Sequence, residues 1–178
     1  MNRTVQIPKF LYEFHGDSPT VIGLILTYIA GLIAGVLGGL AVYNSGIELW
    51  KAVLAGLLFF DVAGGVVSNF TRSTNRYHRQ SQKRRAAFLA IHILHPLLMA
   101  FIVNAYWAFF ILLGVYTITC GFLIGWIDNH KLQYIFAGAL TVIGVATLST
   151  FNFDQSAPYV FGVLFMIKIL IGFSVRRA

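Results

Sequence analysis

Four ionisable side chains lie inside stretches of this sequence that are otherwise apolar: Asp61, His92, His95 and Lys168. A charged group at the centre of a bilayer costs roughly 2.5–3.5 kcal/mol on insertion scales, so such groups usually face a bundle interior and mark functional sites. His92 and His95 are three positions apart, which places both imidazoles on one face of a helix. With a carboxylate from a neighbouring helix they supply three metal ligands and leave one coordination position open, as in catalytic zinc sites.

The leading hypothesis is a membrane-embedded enzyme that uses a divalent metal, zinc or iron, and acts on a lipid or another apolar substrate. Asp61, His92 and His95 are its predicted catalytic groups and metal ligands, and His78 is a further predicted ligand at the membrane surface. Water bound to such an ion is acidified and can attack an ester or amide of a lipid held between helices. Pro96 has no backbone N–H, which predicts a helix kink where the two imidazoles lie.

The four ionisable side chains are expected at similar depths in the membrane. At 1.5 Å per helical residue, Asp61 lies roughly 15 Å from the nearer end of its apolar segment, and Lys168 lies roughly 10 Å from its own. His92 and His95 lie roughly 9–14 Å from the start of theirs. Equal depth permits contact between the three helices, but it leaves open how each helix is rotated.

A polar stripe is predicted to run from Asp61 towards the basic loop that follows. At 100° per residue, several polar residues fall near one line if this helix continues beyond the membrane. Arginines on the stripe would hold the phosphate of a lipid headgroup. The predicted substrate-binding residues are Ser68, Asn69, Arg72, Asn75, Arg79 and Lys168.

Two other functions fit the same residues. Asp61 with His92 and His95 could relay protons in a small proton-coupled transporter or channel, because histidine titrates near neutrality. The polar residues could also be purely structural, with Asp61 paired to Lys168 or His95 and holding helices together. Lys168 could alternatively extend its ammonium group to the membrane surface.

One group of membrane enzymes offers a comparison for the site. The alkaline ceramidase and adiponectin-receptor group places a Ser, an Asp and three His around an intramembrane zinc. The residues of the same types here are Asp61, Ser68, His78, His92 and His95. Their spacing and the number of spans differ from that seven-helix pattern, so the site resembles that zinc centre in residue types alone.

The composition is that of a membrane protein. Of the 178 residues, 58% are hydrophobic and 11% are charged, whereas a typical soluble domain has about 25% charged residues. The net charge of +7 does not indicate nucleic-acid binding, because the basic residues lie in short loops between apolar segments. Membrane lipid is therefore the expected partner.

The apolar segments predict an all-α bundle of six transmembrane helices that forms a single domain over residues 1–178. A span needs roughly 20 apolar residues, and the stretch 86–127 is about twice that length, so it is interpreted as a helical hairpin turning near Asn104. The predicted spans are residues 21–43, 49–70, 86–104, 107–127, 132–150 and 159–175.

With six spans, almost all Lys and Arg residues fall on one side of the membrane. They precede span one, fill the loop 71–85, include Lys131 and follow span six. The positive-inside rule therefore predicts that both termini and the basic loop are cytoplasmic. The expected location is a multi-pass protein of the bacterial inner, or plasma, membrane.

Small residues recur at every fourth position along span one and form a stripe through which another helix can approach closely. The stripe predicts either a helix contact within the chain or a homodimer interface. The glycines on it are Gly23, Gly31, Gly35 and Gly39.

Overall fold

The computed structural model describes residues 3–176, and these residues form an all-α structure. A 3₁₀ turn at Lys9–Leu11 leads into the first α-helix, and the last α-helix continues as a π-helix, Ile167–Phe173. The α-helices are α1 (Tyr12–His15), α2 (Val21–Asn44), α3 (Leu49–Phe70), α4 (Arg72–Arg79), α5 (Gln82–Ile91), α6 (Leu94–Val103), α7 (Trp107–Trp126), α8 (His130–Leu148) and α9 (Ser156–Met166).

Within residues 3–176, six helical segments are long and apolar enough to cross a membrane, which confirms the number of predicted spans and indicates a multi-pass membrane protein. The third segment starts at Gln82, four residues earlier than predicted, because the Ser81 hydroxyl accepts a hydrogen bond from the Arg84 amide and caps α5. The segments are Val21–Asn44, Leu49–Phe70, Gln82–Val103, Trp107–Trp126, His130–Leu148 and Ser156–Phe173.

The third segment is broken where the histidines lie, as Pro96 predicted. Helix α5 ends at Ile91 and α6 begins at Leu94. Pro96 cannot donate to the His92 carbonyl, which instead accepts from the His95 amide at 3.2 Å. The predicted hairpin turn is also present, since Asn104 takes a left-handed conformation with φ of 49°.

Helices α2 and α3 form a tightly packed antiparallel pair. A Cβ added to Gly35 would lie 2.9 Å from the Gly56 carbonyl oxygen, and one added to Gly39 would lie 3.1 Å from the Ala52 carbonyl oxygen. Much of the glycine stripe thus faces α3 of the same chain, which is the intramolecular alternative that the sequence left open. A homodimer through this stripe stays a prediction.

The prediction of a single polar stripe beyond Asp61 is wrong, because α3 ends at Phe70 and does not continue into the basic loop. Thr71 has extended backbone geometry, with ψ of 146°, and its hydroxyl accepts from the Thr74 amide at 3.3 Å, which starts α4 as a separate helix. The change of direction at Thr71 removes Arg72, Asn75 and Arg79 from the line that passes through Asp61.

The N-terminal segment, α4 and the C-terminal residues meet at one end of the bundle, here called the basic end. Asn75 donates to the Val175 carbonyl at 3.1 Å, and Arg85 donates to the Phe173 carbonyl at 3.2 Å. The N-terminal segment is held beneath α3 and α4, because the Phe14 carbonyl accepts from the hydroxyls of Ser68 and Thr74.

Candidate functional site

The side chain of Asp61 in α3 meets two side chains from other helical segments, His95 and Lys168. Its Oδ2 atom accepts a hydrogen bond from Lys168 Nζ at 2.6 Å and one from His95 Nε2 at 2.7 Å. Lys168 Nζ also lies 3.4 Å from the Asp61 backbone oxygen. The side chain of Lys168 is only 3% exposed, so its ammonium group pairs with Asp61 inside the bundle instead of extending to the membrane surface.

The two imidazoles predicted to share a helix face are stacked. Their ring centroids are 4.6 Å apart and their planes differ by 1°. The Nδ1 atom of His92 donates to the Phe88 carbonyl at 2.6 Å, which leaves Nε2 as the unprotonated nitrogen of the neutral ring. A hydrogen bond of this kind fixes the tautomer of histidines that bind metals.

Asp61, His92 and His95 form a group with the composition of a metal site. One ligand atom from each residue lies within 4.8 Å of the others. Tetrahedral zinc with bonds of about 2.1 Å holds its ligand atoms about 3.4 Å apart, so binding would have to open the 2.7 Å contact between His95 and Asp61 and shorten the longer separations of up to 4.8 Å. The buried Nδ1 atom of His95 has no hydrogen-bond partner among the described residues, so its lone pair is not already used by the protein there.

The local structure around Lys168 places its side chain beside Asp61. It lies in the π-helix, a wider form of helix that often occurs at functional sites. The carbonyl of Lys168 accepts from the Asn69 side-chain amide at 3.3 Å. Gly65 leaves space for the lysine side chain, since a Cβ added there would lie 2.9 Å from Lys168 Nζ.

An apolar cavity of about 840 Å³ borders this cluster. Its walls come from the N-terminal segment, α2, α3, α5 and α6, and Asp61, His92, His95 and Lys168 line it from inside. Ile91 and Leu98 line the cavity too, yet they are 58% and 49% exposed, so the cavity opens through the side of the bundle. A volume of this size is in the range of sites for small ligands.

The structure brings some of the predicted site residues to the cavity and leaves others away from it. Ser68 and Asn69 line it with Lys168, whereas Arg72, Asn75 and Arg79 do not. His78 is not in the group formed by Asp61, His92 and His95. It is buried beneath the N-terminal segment, where its Nε2 atom lies 3.0 Å from the Glu13 carbonyl oxygen, and its ring packs against those of Phe88 and Phe173.

The N-terminal segment contributes residues that the sequence analysis did not include in the site. Phe10, Glu13, Phe14 and His15 all line the cavity near the basic end. The sequence contains only a short pattern that could have indicated this segment. Phe10 and Phe14 are four positions apart and fall on one face of a helical turn, and Glu13 lies beside them. The segment is too short to be recognised by hydrophobic periodicity, so its place could not be predicted.

The two histidines outside the spans at this end are held in their neutral forms. Burial lowers the pKa of His78, because the protonated ring would lose its hydration. Burial also lowers the pKa of His15, whose ring nitrogen lies 3.0 Å from the Tyr28 hydroxyl. Besides Asp61 and Lys168, the acidic and basic side chains among the described residues that line the cavity are Glu13 and Arg84; their part of the cavity, at the basic end, is here called the mouth.

Comparisons with family models, with curated proteins and with solved structures find no match for this chain. Its function is therefore inferred from the chemistry and geometry of the site.

Proposed function

We propose that this protein is a membrane-embedded enzyme that acts on a lipid or similar apolar substrate, with Asp61, His92 and His95 as its centre. The observation that carries the proposal is the convergence of these three ligand-type side chains within 4.8 Å on the wall of an apolar cavity. The cavity is open towards the face of the bundle that lies in lipid, so a membrane substrate can reach the polar centre from the side.

The donor set supports a divalent metal, zinc or iron, at this centre. The Phe88 carbonyl orients His92, and Lys168 donates a hydrogen bond to Oδ2 of the Asp61 carboxylate. Such outer hydrogen bonds fix the direction of ligands and raise metal affinity. When bound, the metal supplies a hydroxide at neutral pH for attack on an ester or amide. Lys168 keeps the Asp61 carboxylate in place and adds a positive charge near the position where negative charge would develop.

The charge distribution supports placing the basic end in the cytoplasm. The loop containing α4 and the start of α5 holds most of the arginines of the chain, and positively charged loops of this length are retained on the cytoplasmic side. In this orientation both termini are cytoplasmic, and the cavity opens to the cytoplasmic leaflet of the membrane.

The first experiment is metal analysis of protein purified in detergent without chelators. We expect close to one zinc or iron per wild-type chain and a loss of it in the His92→Ala/His95→Ala double variant. His130→Ala is the matched control, because His130 is exposed and outside the cluster. Well-folded wild-type protein without metal would overturn the metalloenzyme proposal.

A second candidate function is proton-coupled transport, favoured by one observation. The Lys168 ammonium group and His95 share the same oxygen of Asp61, so a cation already occupies the position next to the carboxylate. A carboxylate that exchanges cationic partners is suited to coupling protons with a cationic solute. Flux into proteoliposomes that is abolished by Asp61→Asn, in protein that contains no metal, would favour transport over catalysis.

A further inference from the structure

The mouth of the cavity places one negative and one positive side chain side by side. Glu13 of the N-terminal segment and Arg84 of α5 both line the cavity, and Arg84 Nε lies 3.6 Å from Glu13 Oε1. This distance is longer than a good charge-assisted hydrogen bond. Both side chains are partly exposed, Glu13 at 46% and Arg84 at 33%, so both are accessible to a ligand.

Neighbouring groups fix the positions of these two charges. The Tyr77 hydroxyl donates to Glu13 Oε1 at 3.1 Å. Arg84 donates to the Tyr77 carbonyl at 3.0 Å, and its guanidinium group lies 4.1 Å from the Tyr77 ring centroid. Glu13 and Arg84 are therefore both anchored on Tyr77, and neither depends on the other to hold its place. A ligand that inserts between them would keep both anchors.

We propose that this mouth binds the headgroup of a zwitterionic phospholipid, with its phosphate on Arg84 and its ammonium group on Glu13. The inference deepens the proposed function, on which it rests for the idea of a lipid substrate, and it names the class of that lipid. An arginine fork matches phosphate oxygens, and a carboxylate matches an ammonium group. A lipid with an uncharged alcohol in place of the amine would leave Glu13 facing the negative phosphate.

The rest of the cavity fits the apolar part of the same lipid. Along α5 and α6, Arg84 and His95 are 11 positions apart, or roughly 16 Å of helix at 1.5 Å per residue. Between them the lining side chains are apolar except for His92, and Ile91 and Leu94 are among them. A lipid held by its headgroup at Arg84 would therefore lay its apolar part along these residues.

The buried polar groups of the cavity also point to a ligand with polar atoms. Thr27 lines the cavity and is 5% exposed, and its buried hydroxyl has no hydrogen-bond partner among the described residues. A buried hydroxyl without a partner is costly and calls for an additional group to bond with. The linkage region of a phospholipid carries acceptor oxygens that could fill this role.

The positive net charge of the protein allows binding at a specific headgroup site to be distinguished from non-specific binding of lipids. With a net charge of +7, non-specific association favours anionic lipids. A preference for a zwitterionic lipid must therefore come from a specific site that contains a negative group.

The experiment is native mass spectrometry of the delipidated full chain in detergent. The protein is mixed with equal amounts of phosphatidylethanolamine and phosphatidylglycerol that carry the same acyl chains. We expect the ethanolamine lipid to be retained about tenfold more, the ratio that one hydrogen bond to a charged group provides. Equal retention, or a preference for phosphatidylglycerol, in the wild type would overturn the inference without the use of any variant.

Two variants and a matched control assign the preference to the mouth. Glu13→Gln should reduce the ratio to about one, and Arg84→Gln should weaken retention of both lipids relative to diacylglycerol. Asp17→Asn is the control, because it breaks another ion pair of the N-terminal segment, that of Asp17 with Arg76 at 2.6 Å, away from the cavity lining. An equal effect of Asp17→Asn would show that the preference comes from general charge, which contradicts the inference.

The outcome can be separated from that of the proposed function. The same competition is run on the His92→Ala/His95→Ala variant, in which Glu13 and Arg84 are unchanged. A retained lipid preference in a variant without metal supports the headgroup site whether or not the centre is catalytic. A metal-binding wild type without the preference would leave the enzyme proposal standing and remove the assignment of its lipid class.

Discussion

The ammonium group of Lys168 lies 2.6 Å from the carboxylate of Asp61, and the lysine side chain is 97% removed from the surface. The two residues are 107 positions apart in the sequence, and they join α3 to the last helical segment. Removing one member of a buried ion pair leaves an uncompensated charge in a medium of low dielectric constant. This pair therefore has consequences for stability that do not depend on any catalytic function.

Lys168→Ala should destabilise the protein by at most about 3 kcal/mol, the lower end for a buried pair, because Asp61 would lose its cation but is 31% exposed and stays bonded to His95. The Asp61→Asn/Lys168→Met double variant should recover much of this loss, since it leaves no buried charge. Thermal unfolding in detergent measures both. Lys51→Ala is the control, since Lys51 forms a more exposed pair with Glu48 at 2.7 Å and should contribute about 0–1 kcal/mol. Equal effects of the two lysine variants would contradict the prediction.

Gly65→Ala should displace the side chain of Lys168, because the new Cβ would lie 2.9 Å from Nζ, 3.0 Å from Cδ and still closer to Cε. Overpacking of this kind costs about 1–3 kcal/mol. Gly138→Ala is the matched control, since nothing lies within 4 Å of a Cβ at that position of α8. We expect the control to be neutral or stabilising by up to about 1 kcal/mol. Unfolding temperatures of the two variants should differ in this direction, and metal content should fall only in Gly65→Ala.

Acidification should destabilise the protein through His78. Burial lowers the pKa of its imidazole in the folded state, so above about pH 6.5 the ring is neutral in both states and makes no difference. As the pH falls below that value, the unfolded chain binds a proton that the folded chain does not, and stability is lost by at most about 1.4 kcal/mol per pH unit. Glu13 favours the charged ring, and Arg84 and Arg85 oppose it.

The measurement for His78 is the unfolding temperature between pH 7.5 and pH 5.5. His78→Phe should flatten the slope, with the remaining dependence coming in part from His15, whose pKa is lowered in the same way. A wild-type curve without slope in this range would rule out His78 as a group that is neutral in the folded state.

Gly31→Ile should destabilise the single chain, because a Cβ at Gly31 would already lie 3.0 Å from atoms of Phe60 in α3. Overpacking at a contact of this kind costs about 1–3 kcal/mol, and the bulk of isoleucine places it at the upper end. If the stripe instead served mainly as a homodimer interface, the variant would shift the oligomeric state and leave the folding of α2 against α3 intact. Size-exclusion chromatography with light scattering, together with thermal unfolding, separates the two outcomes.

The sequence was sufficient to predict features that depend on local chemistry. Long apolar segments predicted six spans, Pro96 predicted the break beside the histidines, and a segment too long for one helix predicted the turn at Asn104. Each of these follows from hydropathy or from the absence of one backbone donor. No knowledge of how the helices pack was needed.

Other features depend on tertiary structure and could not be predicted. Depth alone did not determine whether Asp61 meets His95 and Lys168, since contact also requires the rotation of each helix. The π-helix that positions Lys168 has no recognisable sequence signal, and the cap at Thr71 was overlooked within a polar loop. Ser68 and Asn69 line the cavity together with Asp61, whereas Arg72 and Arg79, predicted to hold a headgroup, lie on the separate helix α4 and do not line it.

One wall of the cavity is a continuous helix, and the opposite wall is a broken one. Helix α3 is continuous over 22 residues and packs closely against the glycine stripe of α2. The opposite wall is in two pieces, because α5 ends at Ile91 and α6 begins at Leu94. The wall formed by α5 and α6 carries both imidazoles, and they lie at the break between the two helices. If the proposed lipid enters from the side, it would press against this break, and filling of the cavity would then change the position of the histidines relative to Asp61.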